Sequence, residues 1–328
     1  MTTPKIPLHF KADGSYKICC FSDLHETADF DPRSYAALDG IIEREQPDLV
    51  LLGGDIWNGA LDRPIEELKA FLDIFTQPME SRGIPWAHVM GNHDHDYAFG
   101  DDAYQALFES YPHCVSMHTT PDDAVDGVTN FCLPIRSSDD SRIAFAVWGL
   151  DTHILSDGLV LRNGVNLRQG HRVSSIITGT SHWDFVHFNQ IRWYYAASEQ
   201  LERENGAPID ALMLLHAAPL EFGICIDNPD ETALVGDIQE TLFSGSLNSG
   251  VFAAALQRGD VRAMVSGHMH ANTFAATYCG MTLAFDGSIG FKTGGVDALR
   301  GGRVFELNEN DTAHPATRYV YAKDVIEI

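Results

Sequence analysis

Cysteine and long apolar runs are scarce in this sequence of 328 residues. The six cysteines form no C-x-x-C pair, which argues against a disulfide framework or a zinc knuckle and favours buried free thiols in a reducing compartment. No run approaches the ~18 to 20 apolar residues of a membrane-spanning helix, and the N-terminus carries no signal-type apolar segment. We therefore expect a cytoplasmic globular protein that has no membrane partner.

Positive charge is scarce as well. Lysine and arginine total 22, against 46 aspartate and glutamate residues, and the formal net charge is −24. Binding to the phosphate backbone of a long nucleic acid requires clustered lysine and arginine, so this balance argues against a nucleic-acid partner and against a nuclease. A small anionic substrate is still compatible with the sequence if metal ions make its site locally positive.

Three repeated units of strand, loop and helix are predicted in the first third of the chain. Their apolar runs predict strands over 16–22, 48–52 and 84–90 and helices over 33–45, 64–77 and 101–110. Units of this kind build a largely parallel sheet that is covered by helices. The chemistry of such a sheet is usually found where its strands end.

Polar residues stand at each of these strand ends. Asp23 and His25 are two residues apart, so an extended segment presents both side chains on the same side. Asp55 follows two glycines, which allow a close approach to its carboxylate. In the third unit, Asn92 offers a neutral oxygen to a metal ion, His93 can carry a proton, and Asp94 can accept a hydrogen bond from an imidazole.

The second half of the chain supplies further histidines at predicted strand ends. His216 ends an apolar run over 211–216, and His268 and His270 follow the run over 261–266. Further strands are predicted over 114–118, 129–135, 142–150, 273–287 and 302–323, of which the last two would be antiparallel and would close a second sheet. Residues 151–190 show little periodicity, which indicates a lid or specificity insert, or else a surface loop, within a single domain over 1–328.

The residues at these strand ends form one set of candidate metal ligands: Asp23, His25, Asp55, Asn92, His216, His268 and His270. Nitrogen and oxygen ligands without thiolates suit divalent or trivalent Mn, Fe, Zn or Co. The set is larger than one tetrahedral ion uses, and a carboxylate can bridge two ions. Two ions ~3.5 to 4 Å apart form a centre that hydrolyses phosphate esters.

The ordered motifs D-x-H, G-D, G-N-H-D, H and G-H-x-H, from Asp23 to His270, resemble those of the calcineurin-like metallophosphoesterase superfamily. Shorter strings, among them Gly54-Asp55 with Asn58 and Glu221-Phe222 after His216, are most similar to the intracellular branch related to purple acid phosphatases. The resemblance implies an α/β fold, a four-layer αββα sandwich of two mixed β-sheets flanked by helices, with the metal site at the carboxyl ends of the strands.

The resemblance also implies a role for each candidate residue. Asp23, His25 and His270 would hold the first metal ion. The second ion would be held by Asn92, His216 and His268, and Asp55 would bridge the two. His93 would contact the phosphate or protonate the leaving oxygen, and Asp94 would orient it.

The implied reaction is hydrolysis of a phosphate monoester by in-line attack of a metal-bridging hydroxide. Phosphodiesterase activity on a cyclic nucleotide or a glycerophosphodiester is an alternative, and a non-catalytic metal-bound scaffold is another.

Two residues depart from the branch's pattern. Asn58 stands where purple enzymes place a tyrosinate, so we expect no purple colour and leave the metals open as Mn, Fe or Zn. Met269 stands where the branch often has aspartate.

Overall fold

The computed structural model describes residues 4–58, 63–119, 124–154, 183–245 and 247–328. Most of the insert that we predict at 151–190 therefore lies outside the described residues. Along the described ranges, none of the helices combines the length and the apolar character that crossing a bilayer requires.

The strands of the described ranges are β1 (Leu8–His9), β2 (Ser15–Phe21), β3 (Leu49–Leu52), β4 (Trp86–His88), β5 (Phe131–Arg136), β6 (Ile143–Leu150), β7 (Asp210–Leu215), β8 (Val261–Ser266), β9 (Ala275–Tyr278), β10 (Met281–Phe285), β11 (Gly301–Asn308) and β12 (Asp311–Tyr321). They form a five-stranded sheet in the order β12-β11-β2-β3-β4 and a seven-stranded sheet in the order β1-β5-β6-β7-β8-β10-β9. Both sheets are mixed. Neighbours β2, β3 and β4 run parallel in the first, and β6, β7, β8 and β10 run parallel in the second.

The helices are α1 (Pro32–Glu45), α2 (Ile65–Phe75), α3 (Gln77–Glu80), α4 (Asp101–Glu109), α5 (Phe188–Asn205), α6 (Glu221–Asp227) and α7 (Val251–Arg258). The start of α1 illustrates how the sequence sets a boundary. The Asp31 carboxylate accepts the backbone N–H of Arg33 at 2.8 Å, and Pro32 occupies the first helical position, where no N–H is needed.

Alternating side chains on the strands divide the core into layers. In β2, Ile18 and Cys20 face the other sheet, whereas Cys19 and Phe21 pack against helices. Helices α1 to α4 cover the outer face of the five-stranded sheet, and α5 to α7 cover the outer face of the seven-stranded sheet. The predicted four-layer αββα sandwich is therefore confirmed. Five of the six cysteines are buried free thiols, and Cys279 is exposed.

Two strand predictions are wrong. Residues 114–118 form a single bridge, between Cys114 and Trp86, because the next N–H on β4, that of His88, donates to the side-chain hydroxyl of Ser116 at 2.8 Å. The segments over 273–287 and 302–323 also do not share a sheet. Strand β10 pairs in parallel with β8, while β11 and β12 extend the sheet that contains β2.

Candidate metal centre

The carboxyl ends of the parallel strands of both sheets meet at one edge of the sandwich. The loops after β2 and β3 are joined by backbone hydrogen bonds from Asp23 N–H to Gly54 O and from His25 N–H to Asp55 O, each 3.0 Å long. Across the sheets, the N–H of His268 donates to Asp23 Oδ2 at 2.8 Å. These contacts bring strand ends that are far apart in the sequence into a single site.

Four of the candidate ligands have a left-handed backbone. The φ angles of Asp23, His25, Asp55 and His268 are 52°, 47°, 52° and 67°. Residues with a Cβ rarely adopt this conformation, which costs of order 1–3 kcal/mol at each position. The turns after β2, β3 and β8 therefore carry backbone strain at the residues that point into the site.

Asp23, His25 and His270 form the first group of ligands. One nitrogen or oxygen atom from each lies within 4.8 Å of the others. Asp23 Oδ1 is 3.2 Å from Nε2 of His270 and 3.7 Å from Nε2 of His25. The prediction assigns these same three residues to the first metal ion.

Asp55, His216 and His268 form a second group of the same kind. The Oδ1 of Asn92 lies 3.1 Å from Nε2 of His216, which places the predicted amide ligand beside this group. Asp55 Oδ2 lies 3.3 Å from Nε2 of His216 and 3.4 Å from Nε2 of His25. One carboxylate oxygen thus faces both groups, as a bridging ligand must.

Contacts behind the imidazoles fix their orientation. Nδ1 of His216 donates to the carbonyl oxygen of Gly53 at 2.7 Å, and Nδ1 of His270 donates to that of Gly294 at 2.9 Å. Because these carbonyls require a proton on Nδ1, Nε2 is the nitrogen of each ring that faces the carboxylates and that a metal ion could use. This arrangement behind a histidine is typical of metal ligands.

The donor set fits metal ions better than it fits direct contacts among the side chains. Asp23 Oδ1 and His25 Nε2 are buried, and neither has a hydrogen-bond partner in the described part of the chain. A buried carboxylate oxygen without a partner is costly unless a cation or a donor satisfies it. Nitrogen and oxygen donors without sulfur suit Mn, Fe, Zn or Co ions.

The charges of the two groups are set by the competition between burial and close partners. Burial disfavours charge on Asp23, but contacts with His25 and His270 outweigh it and hold the pKa of Asp23 well below its usual range. Burial also opposes charge on His216, yet the Asp55 carboxylate raises the pKa of His216 to about 10. Metal binding at this group must therefore release the His216 proton.

His93 lies beside the first group. Its ring centroid is 5.3 Å from that of His25, and its side chain is 38% exposed, so it is open to a substrate. Nδ1 of His93 is 2.9 Å from Oδ2 of Asp96. With Nδ1 engaged by this carboxylate, Nε2 is the nitrogen that can face a bound ester.

The prediction that Asp94 orients His93 is wrong. The Asp94 carboxylate accepts hydrogen bonds from four other donors: the backbone N–H groups of Asp55, Ile56 and Gly91 and the hydroxyl of Tyr104. The cause is the 3-10 helix over Asn92–His95, which turns Asp94 inward. Residues three apart eclipse in a 3-10 helix, so the neighbour of His93 is Asp96.

Two residues near the site were missed by the sequence reasoning. Trp183 stands edge-on to His268, with ring centroids 5.1 Å apart, and belongs to the aperiodic segment, which offered no signal for it. Asp286 directly follows β10 and contacts Ser22. Like Asp55, it is a carboxylate beside a glycine just after a buried apolar run, and this could have identified it.

Comparisons with known proteins agree on one family. The model of a family described as "Calcineurin-like phosphoesterase" matches residues 16–272. "Probable inactive purple acid phosphatase 14" of Arabidopsis thaliana is 27% identical over 335 residues, which cover 94% of this chain and 79% of that protein. "Probable inactive purple acid phosphatase 29" of the same plant is 25% identical and covers 88% of this chain and 76% of its own length.

Solved structures share the fold. A dimetal phosphatase from Danio rerio superposes with a TM-score of 0.53 at 13% identity, over 92% of this chain and 98% of that structure. At this identity the comparison shows a shared fold. The shared fold extends over nearly the whole of both chains.

Proposed function

Since this chain belongs to the calcineurin-like phosphoesterase family, we propose that it is a metal-dependent phosphatase that hydrolyses a small phosphate monoester. The observation that carries the proposal is the convergence of all seven candidate ligands at one edge of the sandwich. Two groups of three are each compact enough for one ion, and Asp55 and Asn92 stand where a bridge and a seventh ligand are needed.

In this proposal Asp23, His25 and His270 hold one ion, and Asn92, His216 and His268 hold the other, with Asp55 shared. Ions bound there supply Lewis acidity toward phosphoryl oxygens and toward water, which is the chemistry that ester hydrolysis requires. The metals are Mn, Fe or Zn, which suit the nitrogen and oxygen donors.

His93 is the proposed proton donor. Its exposed ring stands beside the first group, and Asp96 holds its Nδ1. Nε2 is then the atom that holds a proton for the oxygen of the departing alcohol. General acids in such positions contribute about 10²- to 10⁴-fold to the rate.

The proposed substrate is small because the excess of acidic over basic residues disfavours a long phosphate backbone. We propose a cytoplasmic location because the cysteines are free thiols, which suits a reducing compartment. The name given to the two Arabidopsis relatives makes a non-catalytic metal-bound protein the main competing possibility. The complete ligand set and the free Nε2 of His93 favour catalysis in this chain.

The test compares p-nitrophenyl phosphate with bis-p-nitrophenyl phosphate, using metal-stripped protein refilled separately with Mn²⁺, Zn²⁺ or Fe. We expect metal-dependent turnover of the monoester. Asp55→Asn should abolish it, because the shared carboxylate oxygen is needed by both ions. His93→Ala should lower kcat about 100-fold while two ions remain bound.

Other outcomes have distinct meanings. A preference for the diester would replace the phosphatase by a phosphodiesterase. Two bound ions without turnover of either ester would support the non-catalytic scaffold. If His93→Ala were as active as the unmodified protein, His93 would not be the proton donor.

A further inference from the structure

The hydroxyl of Ser22 is surrounded by oxygen atoms. Its Oγ lies 2.5 Å from Asp23 Oδ2, 2.8 Å from Asp286 Oδ1 and 2.8 Å from the carbonyl oxygen of Gly287. Ser22, Asp23 and Asp286 are all fully buried. Three oxygens therefore compete for one hydroxyl proton in a place that water does not reach.

The single hydroxyl proton of Ser22 can be donated to only one of these three oxygens. A serine hydroxyl donates one hydrogen and can accept others. The carbonyl of Gly287 has no proton to give, and Asp23 must be ionised to act as a metal ligand. The contact between Ser22 and Asp286 is thus a hydrogen bond only if the Asp286 carboxyl carries a proton and donates it to Ser22 Oγ.

The surroundings of Asp286 fit a neutral acid. Its second oxygen, Oδ2, is buried without a hydrogen-bond partner in the described part of the chain. The nearby guanidinium of Arg303 donates instead to the carbonyl oxygens of Phe285 and Thr273. Burial, followed by the charge of Asp23, raises the pKa of Asp286 to about 8. An ionised carboxylate would receive no hydrogen bond from that guanidinium and would have too few donors to replace water.

Packing confines the Ser22 hydroxyl to this position. A Cβ on Gly267 would lie 2.5 Å from Ser22 Oγ and 2.8 Å from Asp23 Oδ2. A Cβ on Gly53 would lie 2.7 Å from Asp286 Oδ2 and 2.9 Å from the Cβ of Ser22. All four distances are shorter than real Cβ contacts, so only glycine lets the loops after β3 and β8 close around the hydroxyl.

We propose that Asp286 is a positioning residue of the metal centre. It donates a proton to Ser22, and Ser22 in turn donates to Oδ2 of Asp23, which holds the carboxylate with Oδ1 turned toward His25 and His270. A neutral acid performs this task without adding a further negative charge beside the ligands. The inference rests on the proposed binding of a metal ion by Asp23.

The test measures Mn²⁺ affinity of metal-stripped variants by calorimetric titration. Asp286→Ala should weaken one of the two ions about 10- to 100-fold, as the loss of a contact behind a ligand typically does. Asp286→Asn should keep the affinity of the unmodified protein, because its amide N–H can donate to Ser22 in place of the acid. Equal weakening by both variants, or unchanged affinity in Asp286→Ala, would overturn the proposal.

Ser22→Ala removes the intermediate hydroxyl with the smallest change in packing and should weaken binding of the same ion. The double variant Ser22→Ala, Asp286→Ala should lose no more Mn²⁺ affinity than the weaker-binding single variant, because both residues act through one chain of contacts. Losses that multiply would contradict that chain. Asp260→Ala is the matched control. The Asp260 carboxyl is also buried, precedes β8 and accepts hydrogen bonds from the hydroxyls of Tyr194 and Ser198. Its loss should lower stability and leave Mn²⁺ affinity unchanged.

Infrared difference spectroscopy gives a readout that requires neither metal nor turnover. At neutral pH, Asp286→Asn should remove a C=O band of a protonated carboxyl. Loss of carboxylate bands alone would show that Asp286 is ionised and would overturn the inference. Because affinity and spectra are independent of hydrolysis, the proposed phosphatase activity can fail while this inference stands, and the reverse also holds.

Discussion

Asp94 and Asp96 lie two residues apart in one turn and have different tasks. Asp96 contacts the ring of His93, whereas Asp94 accepts hydrogen bonds from three backbone N–H groups and Tyr104. We expect Asp96→Asn to lower kcat about 10-fold, as part of the 10²- to 10⁴-fold contribution of a general acid. Metal content and the unfolding midpoint should not change.

Asp94→Asn is the matched variant. Its NH₂ group would face donors in place of an oxygen, and a buried donor without a partner costs about 1–3 kcal/mol. The unfolding midpoint in urea should therefore fall. If Asp94→Asn slowed turnover with no loss of stability while Asp96→Asn did nothing, the assignment of the two carboxylates would be reversed.

At the scale of single residues, the sequence predicted which candidate ligands lie together better than it predicted their neighbours. All seven candidate ligands lie within four residues of a strand end, so position and residue type sufficed to group them. The partner of His93 depends on how tightly the chain turns after β4, which no apolar pattern reports. Asp286 was missed because the predicted strand over 273–287 runs past it, whereas the observed strand ends at Phe285.

At the scale of elements, strands and helices with clear periodicity were predicted within a few residues. Predicted helix 33–45 is observed as α1, and predicted strand 261–266 is observed as β8. Which strands pair with each other was harder to predict than where each strand lies. Strand β10 is parallel to β8, and the antiparallel hairpin it makes with β9 hides that relation in the sequence.

The stability of the protein should depend on pH through His88, which packs between β4 and α4. His88 ends β4, is fully buried, and its ring centroid lies 4.0 Å from that of Phe108 on α4. Burial lowers the pKa of His88 from 6.5 to about 3, so the folded state keeps the ring neutral. The unfolded chain takes up a proton below about pH 6.5, and the stability contributed by the neutral ring is then lost as pH falls.

The measurement is the urea unfolding free energy of metal-free protein. Relative to His88→Phe, the wild-type chain should lose about 2 kcal/mol between about pH 7 and about pH 5. Phe108→Leu is the control, because it disturbs the same packing without removing a titratable group and should keep the wild-type dependence on pH. An unchanged pH dependence in His88→Phe would show that His88 is not the group responsible.

At the scale of the whole molecule, ordered motifs were more informative than composition. Composition only argued against classes of protein, whereas five motifs in order predicted the family and shorter strings predicted the purple-acid-phosphatase-related branch, and the family and the branch are both confirmed. The αββα sandwich came from that resemblance, because two sheets that pack face to face leave no separate signal in a single sequence. The single domain over 1–328 and the insert at 151–190 stay predictions.

The net charge of −24 should affect how fast an anionic ester reaches the site. Repulsion between like charges lowers association rates, and added salt screens it. We expect kcat/KM for p-nitrophenyl phosphate to rise severalfold between low and high ionic strength, with kcat unchanged. The singly charged bis-p-nitrophenyl phosphate should respond less. A fall with salt would show that the field at the site is locally positive and outweighs the overall charge.

The left-handed turns at Asp23, His25, Asp55 and His268 bear on why these four side chains are present. Selection for stability alone would favour glycine at such positions, because glycine adopts this backbone without strain. This chain keeps all four side chains despite the strain, as a protein that uses them as metal ligands should.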